Sequence, residues 1–144
     1  MSSDNPLADS VWQRLQDARQ SLLSLHKVLM EDQREAYERT HGRIDSSYHF
    51  LELLMNDPWF DWLHRLSELV VQIDEMLAAE EPQVEENAKI LLEQARVLLT
   101  PAENGNEFQR NYFAALQQSP NVVLAHAQVL KVVGKGTQQQ NRSI

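Results

Sequence analysis

The stretch Asp57–Trp62 reads DPWFDW, and it decides how the chain divides into helices. Asp57 can cap a helix, and Pro58 suits a first helical turn because the backbone N–H that proline lacks would be unpaired there. Two of the three tryptophans follow within four residues. So dense an aromatic group forms either the centre of a hydrophobic core or the centre of a binding face.

Apolar residues on both sides of this stretch recur at spacings of three and four, which is typical of amphipathic helices. Tyr48, Leu51 and Met55 continue this apolar face up to the break. No segment alternates as a strand would, so the chain is predicted to be all-α, an up-and-down bundle of four main helices. The two main apolar rows are Leu7, Val11, Leu15, Ala18, Leu22, Leu25 and Leu29, and Trp59, Leu63, Leu66, Val70, Ile73 and Leu77.

Prolines and one glycine mark the expected helix boundaries. Breaks are predicted near Pro58, Pro82, Pro101 and Pro120. Residues 39–45 are interpreted as a turn between two long antiparallel helices, because Gly42 can adopt the left-handed conformation that ends a helix. One continuous helix through this region is the alternative. We expect a flexible start at 1–5, a single helical domain at 6–134 and a disordered tail at 135–144.

The amino-acid composition argues against several classes of function. The chain has 144 residues and a net charge of −8, which argues against nucleic acid and against an anionic membrane surface. It has no cysteine, which removes disulfides and thiol chemistry and fits a cytoplasmic protein. The first ten residues do not resemble a signal peptide, and no apolar run approaches the ~20 residues of a membrane span.

A metal site is the first chemistry to test, because helical bundles often hold metals between carboxylates and histidines. The candidate ligands are Glu38, His41, Asp45 and His49, which surround the predicted turn. A solvated, charged hairpin explains the same residues without a metal. We therefore assign no metal site, and we expect no cofactor.

Catalysis has no specific motif in this sequence. It contains neither a Gly-x-Ser-x-Gly elbow nor a phosphate-binding glycine loop. His26 and His126 lie among apolar residues at helical spacing, where burial would lower the pKa of either ring. A hydrogen-bonded histidine at the edge of the core is the favoured interpretation for both.

The aromatic stretch also suggests a contact surface. On a helical wheel Trp59 and Trp62 face the core, whereas Phe60 lies outside the main apolar arc and shares a face with Val71. We expect this face to be exposed and to meet the chain's own last helix, a second copy or a foreign partner. The candidate contact residues are Tyr37, Trp59, Phe60 and Val71.

These observations favour a non-catalytic interaction or regulatory module that forms a homodimer and that can also bind another protein. The apolar arcs are wider than a two-helix contact needs, and helical proteins can bury such a surplus against a second copy. The alternative is a bundle that binds a metal or a small ligand, with carboxylates and His26, His49 or His126 converging inside it, as an enzyme site would require.

Overall fold

A computed structural model describes residues 6–134 of the chain and the burial of side chains from Val11 onward. The described part is all-helical, without strands, so the predicted fold class is confirmed. It has six α-helices and one 3₁₀ segment where four main helices were expected. The predicted flexible start and disordered tail lie outside the described residues. The elements are α1 (Pro6–His41), α2 (Ser47–Asn56), the 3₁₀ segment (Pro58–Leu63), α3 (His64–Ala78), α4 (Glu85–Leu98), α5 (Glu107–Gln118) and α6 (Pro120–Val133).

Helix α1 is the axis of the bundle. Its 36 residues extend over about 54 Å, since each helical residue adds ~1.5 Å. Leu15, Leu22, Leu25 and Leu29 are fully buried on one side of it. Helices α3, α4 and α6 all pack against α1, so the predicted leucine row is the surface that assembles the core.

The chain reverses direction at 42–46, slightly later than the predicted turn at 39–45. Gly42 has a φ of 92°, the left-handed conformation expected of a residue that ends a helix. Ser46 then caps α2 by accepting a hydrogen bond from the backbone N–H of His49. The second helix is short, with only ten residues, because the Asp57-Pro58 step ends it.

Phe60 is buried, so the predicted exposure of this side chain is wrong. Its ring is 0 % exposed. The wheel assumed 100° per residue, but residues 58–63 form a 3₁₀ helix, which advances ~120° per residue and places positions three apart on one side. Phe60 and Leu63 therefore face the core together. Trp62 is buried as predicted, with its ring 5.3 Å from that of Phe108.

The second half of the chain supplies the rest of the core. Asn106 and Gln109 form a reciprocal capping box at the start of α5. Ser119 caps α6, and Pro120 is its first residue. Pro82 and Pro101 lie in the loops on either side of α4.

We predict that Phe60→Ala lowers the free energy of unfolding by about 3–5 kcal/mol, because the change empties a fully enclosed aromatic site. Leu124→Ala is the matched control, since Leu124 is 66 % exposed on α6, outside the aromatic site, and its truncation should cost about 0.5 kcal/mol or less. Urea denaturation followed by circular dichroism measures both. Equal costs for the two variants would contradict the placement of Phe60.

Candidate functional site

Two of the four candidate metal ligands, Glu38 and His49, stabilise the turn between α1 and α2 through their side chains. The Glu38 carboxylate accepts a hydrogen bond from the backbone N–H of Ile44 at 2.8 Å. His49 Nδ1 accepts one from the backbone N–H of Asp45 at 3.3 Å, and the His41 ring stacks on Tyr37. Within residues 6–134, no three His, Asp or Glu side chains come together in a group that could hold a metal ion.

His26 and His126 lie at the edge of the core in separate hydrogen-bonded pairs. His26 Nε2 is 2.9 Å from Ser67 Oγ, which joins α1 to α3. His126 Nδ1 is 2.7 Å from the hydroxyl of the fully buried Tyr112, which joins α5 to α6. Each ring therefore has a structural partner, and His49 lies on α2 with a third set of contacts.

Burial sets the protonation of these pairs. It lowers the pKa of His26, and the neighbouring His64 lowers that pKa further because two positive rings repel. Burial also lowers the pKa of His126 and raises the pKa of Tyr112 well above its ordinary value. At neutral pH the Tyr112 hydroxyl can thus donate to a neutral His126 ring.

The Ser67–His26 pair has the separation of a nucleophile and its base, but it lacks the other parts of a catalytic site. Neither of the two main surface grooves is lined by Ser67 or His26. Among residues 11–134, Ser119 is the only buried residue with a polar or charged side chain apart from Tyr112, and it caps α6. No buried carboxylate is therefore present there to orient a histidine.

Three of the four predicted contact residues contact one another, and of these only Phe60 is fully buried. Tyr37, Trp59 and Phe60, together with His41 and Phe50, form an aromatic cluster between the end of α1, the 3₁₀ segment and α2. The Tyr37 ring centroid is 5.7 Å from that of Trp59 and 5.6 Å from that of Phe60. Edge-to-face and tilted contacts at these distances stabilise the fold.

Val71 is separated from this cluster. It is 51 % exposed on α3, whereas Phe60 is buried, so the two residues do not form one exposed surface. Trp59 and Tyr37 are only partly buried, but their rings mainly contact each other and their cluster neighbours. The shared face predicted for Phe60 and Val71 is therefore wrong, for the same reason that Phe60 is buried.

An exposed apolar row lies on α2, at the residues whose spacing predicted a continuation of the apolar helix face up to the break. We call it the α2 outer face: Tyr48, Leu51 and Met55, which are 76 %, 53 % and 63 % exposed. No residue of α2 is fully buried. The opposite side, with Phe50, Leu53 and Leu54, packs against the core cluster. In the sequence, apolar residues on both sides of this ten-residue helix could have indicated that one side packs against the core and the other forms a second apolar surface.

The described surface also has grooves between helices, including these two. One, of about 630 Å³, runs between α3 and α4. The other, of about 440 Å³, lies between α1 and α6 and is bordered by Glu31, Asp32 and Glu35.

No helix within residues 6–134 combines the length and the apolar character that crossing a bilayer requires. The chain matches no protein-family model, no curated protein and no solved structure.

We predict that the protein loses stability as the pH falls below about 6.5, the ordinary pKa of a histidine in the unfolded chain. Both buried rings have folded-state pKa values below this, so below pH 6.5 the unfolded chain binds more protons than the folded one and unfolding becomes easier. Thermal unfolding between pH 8 and pH 5 measures the effect.

His126→Asn is the matched variant, because an amide can still accept from Tyr112 but does not titrate in this range. We expect a shallower loss of melting temperature between pH 7 and pH 5 than in the unmodified protein. An identical slope in both proteins would show that His126 does not contribute.

Proposed function

We propose that this protein is a non-catalytic interaction module that forms a homodimer through the α2 outer face. The observation that carries the proposal is the solvent exposure of Tyr48, Leu51 and Met55 in one row of a helix that has no fully buried residue. Exposed apolar rows of this kind are typical of surfaces that become buried on association.

The length of α2 supports this proposal. A ten-residue helix is marginal in water by itself, so α2 depends on packing for its stability. Its inner side supplies part of that packing through Phe50, which lies 5.8 Å from Phe60 between ring centroids. Covering Tyr48, Leu51 and Met55 with a second copy would remove the remaining apolar surface from water and stabilise the helix further.

Charge supports a contact at this place between identical chains. Two copies that each carry −8 repel one another, so a contact between them is favoured where charges are few. Helix α2 has one carboxylate, Glu52, and no lysine or arginine in its ten residues. Higher salt screens the remaining repulsion and is expected to strengthen the dimer.

We predict that Leu51→Glu/Met55→Glu gives a folded monomer, because it places two carboxylates on the α2 outer face without altering the inner side. Sedimentation equilibrium over a dilution series should show the unmodified protein approaching twice its mass of 16.6 kDa, while the double variant stays at 16.6 kDa. Circular dichroism verifies that the variant is folded.

Val71→Glu/Val123→Glu is the control for this experiment. It adds the same charge at two exposed valines on α3 and α6, and it should dimerise like the unmodified protein. An unmodified protein that stays at monomer mass at every concentration would overturn the proposal. So would a control that dissociates while the α2 variant does not.

A further inference from the structure

The groove between α3 and α4 has a shape that could bind a short helix. Its floor is made by Leu69 and Leu98, which are buried. Ile90 and Val97 form a wall on α4, and each is about half exposed. Lining residues on both helices recur at intervals of three and four, the spacing with which two helices present a groove to a third.

The length of this groove agrees with the length of the α2 outer face. Ile90 and Val97 are seven residues apart on α4, and Tyr48 and Met55 are seven residues apart on α2. Seven residues correspond to two helical turns, or about 10.5 Å. The row on α2 has the i, i+3, i+7 pattern with which helices bind in apolar grooves.

One pair of opposite charges is available between these two surfaces. Glu52 lies between Tyr48 and Met55 on the outer side of α2, because it is four residues from one and three from the other. Arg65 lines the groove together with Glu68 and Glu93. Glu93 is paired with Arg96, whereas Arg65 makes no ion pair with any carboxylate in residues 11–134. An α2 helix in the groove can bring the Glu52 carboxylate to the Arg65 guanidinium.

We infer that the α3–α4 groove receives the α2 outer face of a second copy of this chain. The inference rests on the proposed function and specifies its geometry, since the contact joins two different surfaces. Two such contacts, one in each direction, close a dimer. A direct α2-to-α2 contact would leave the groove empty and would place Glu52 near its own symmetry mate.

Disulfide trapping tests this geometry cleanly because the chain has no cysteine of its own. Leu51→Cys on α2 and Val97→Cys in the groove are prepared as separate proteins and oxidised alone and as an equimolar mixture. Intact mass distinguishes the products, because the two substitutions change the mass differently. Ser24→Cys, at an exposed position of α1 away from both surfaces, gives the background level.

The expected result is that the mixture forms the Leu51→Cys–Val97→Cys heterodimer at least several times faster than either protein crosslinks alone. Rapid self-crosslinking of Leu51→Cys with unreacted Val97→Cys would overturn the groove assignment and leave the α2 dimer in place. Background crosslinking in every sample, together with an unmodified protein at monomer mass, would overturn the proposed function as well.

A charge exchange gives a second test that does not depend on crosslinking. Glu52→Lys and Arg65→Glu should each weaken dimerisation about threefold or more, and the double variant, which keeps the net charge of −8, should recover it. The single change Glu52→Lys separates the two effects of charge. It makes each chain less negative, which by itself would favour dimerisation, whereas loss of the pair with Arg65 would weaken it. Stronger dimerisation in that variant would contradict the pairing with Arg65.

Discussion

The length of α1 is the constraint on which the rest of the structure depends. The helix has 36 residues, whereas the helices that pack along it have 14 or 15. Its fully buried residues end at Leu29, but the helix continues for a further twelve residues to His41. This final part carries Tyr37, which is only partly buried against the core cluster.

The 3₁₀ segment and α2 pack around this final part of α1. Phe60 and Trp59 reach the end of α1 through their contacts with Tyr37, and Phe50 joins Phe60 from α2. Arg34 adds a cation–π contact, with its guanidinium carbon 4.9 Å from the centre of the Phe50 ring. Because α2 contacts this projecting end through one side only, its other side faces solvent. The exposure of the α2 outer face is thus a consequence of how α2 packs against the end of α1.

Much of the fold could be predicted from the sequence, because the residues that begin and end helices agree with the spacing of the apolar residues. Leu15, Leu22, Leu25 and Leu29 are buried as their spacing indicates, Gly42 ends α1, and Ser119 with Pro120 begins α6. The histidines are also as expected, at the core edge with hydrogen-bond partners. In each case the signal lies within one or two helical turns of the residue that it describes.

The contact surface could not be predicted in the same way, for two physical reasons. A wheel drawn at α-helical spacing fails where the backbone winds more tightly, which is why it placed Phe60 outside. Periodicity also identifies an apolar row without saying what covers it. Tyr48, Leu51 and Met55 continue the pattern of the core, yet only the tertiary arrangement shows that no other part of the described chain buries them.

The most direct test of self-association through the α2 outer face is the methyl NMR spectrum of the methionines at low and high protein concentration. Met55 lies on the α2 outer face, whereas Met30 and Met76 pack against the core cluster. If a second copy covers this face, the Met55 methyl signal shifts as concentration rises, while those of Met30 and Met76 stay in place. A Met55 signal that is unchanged over the whole range would contradict self-association through this face.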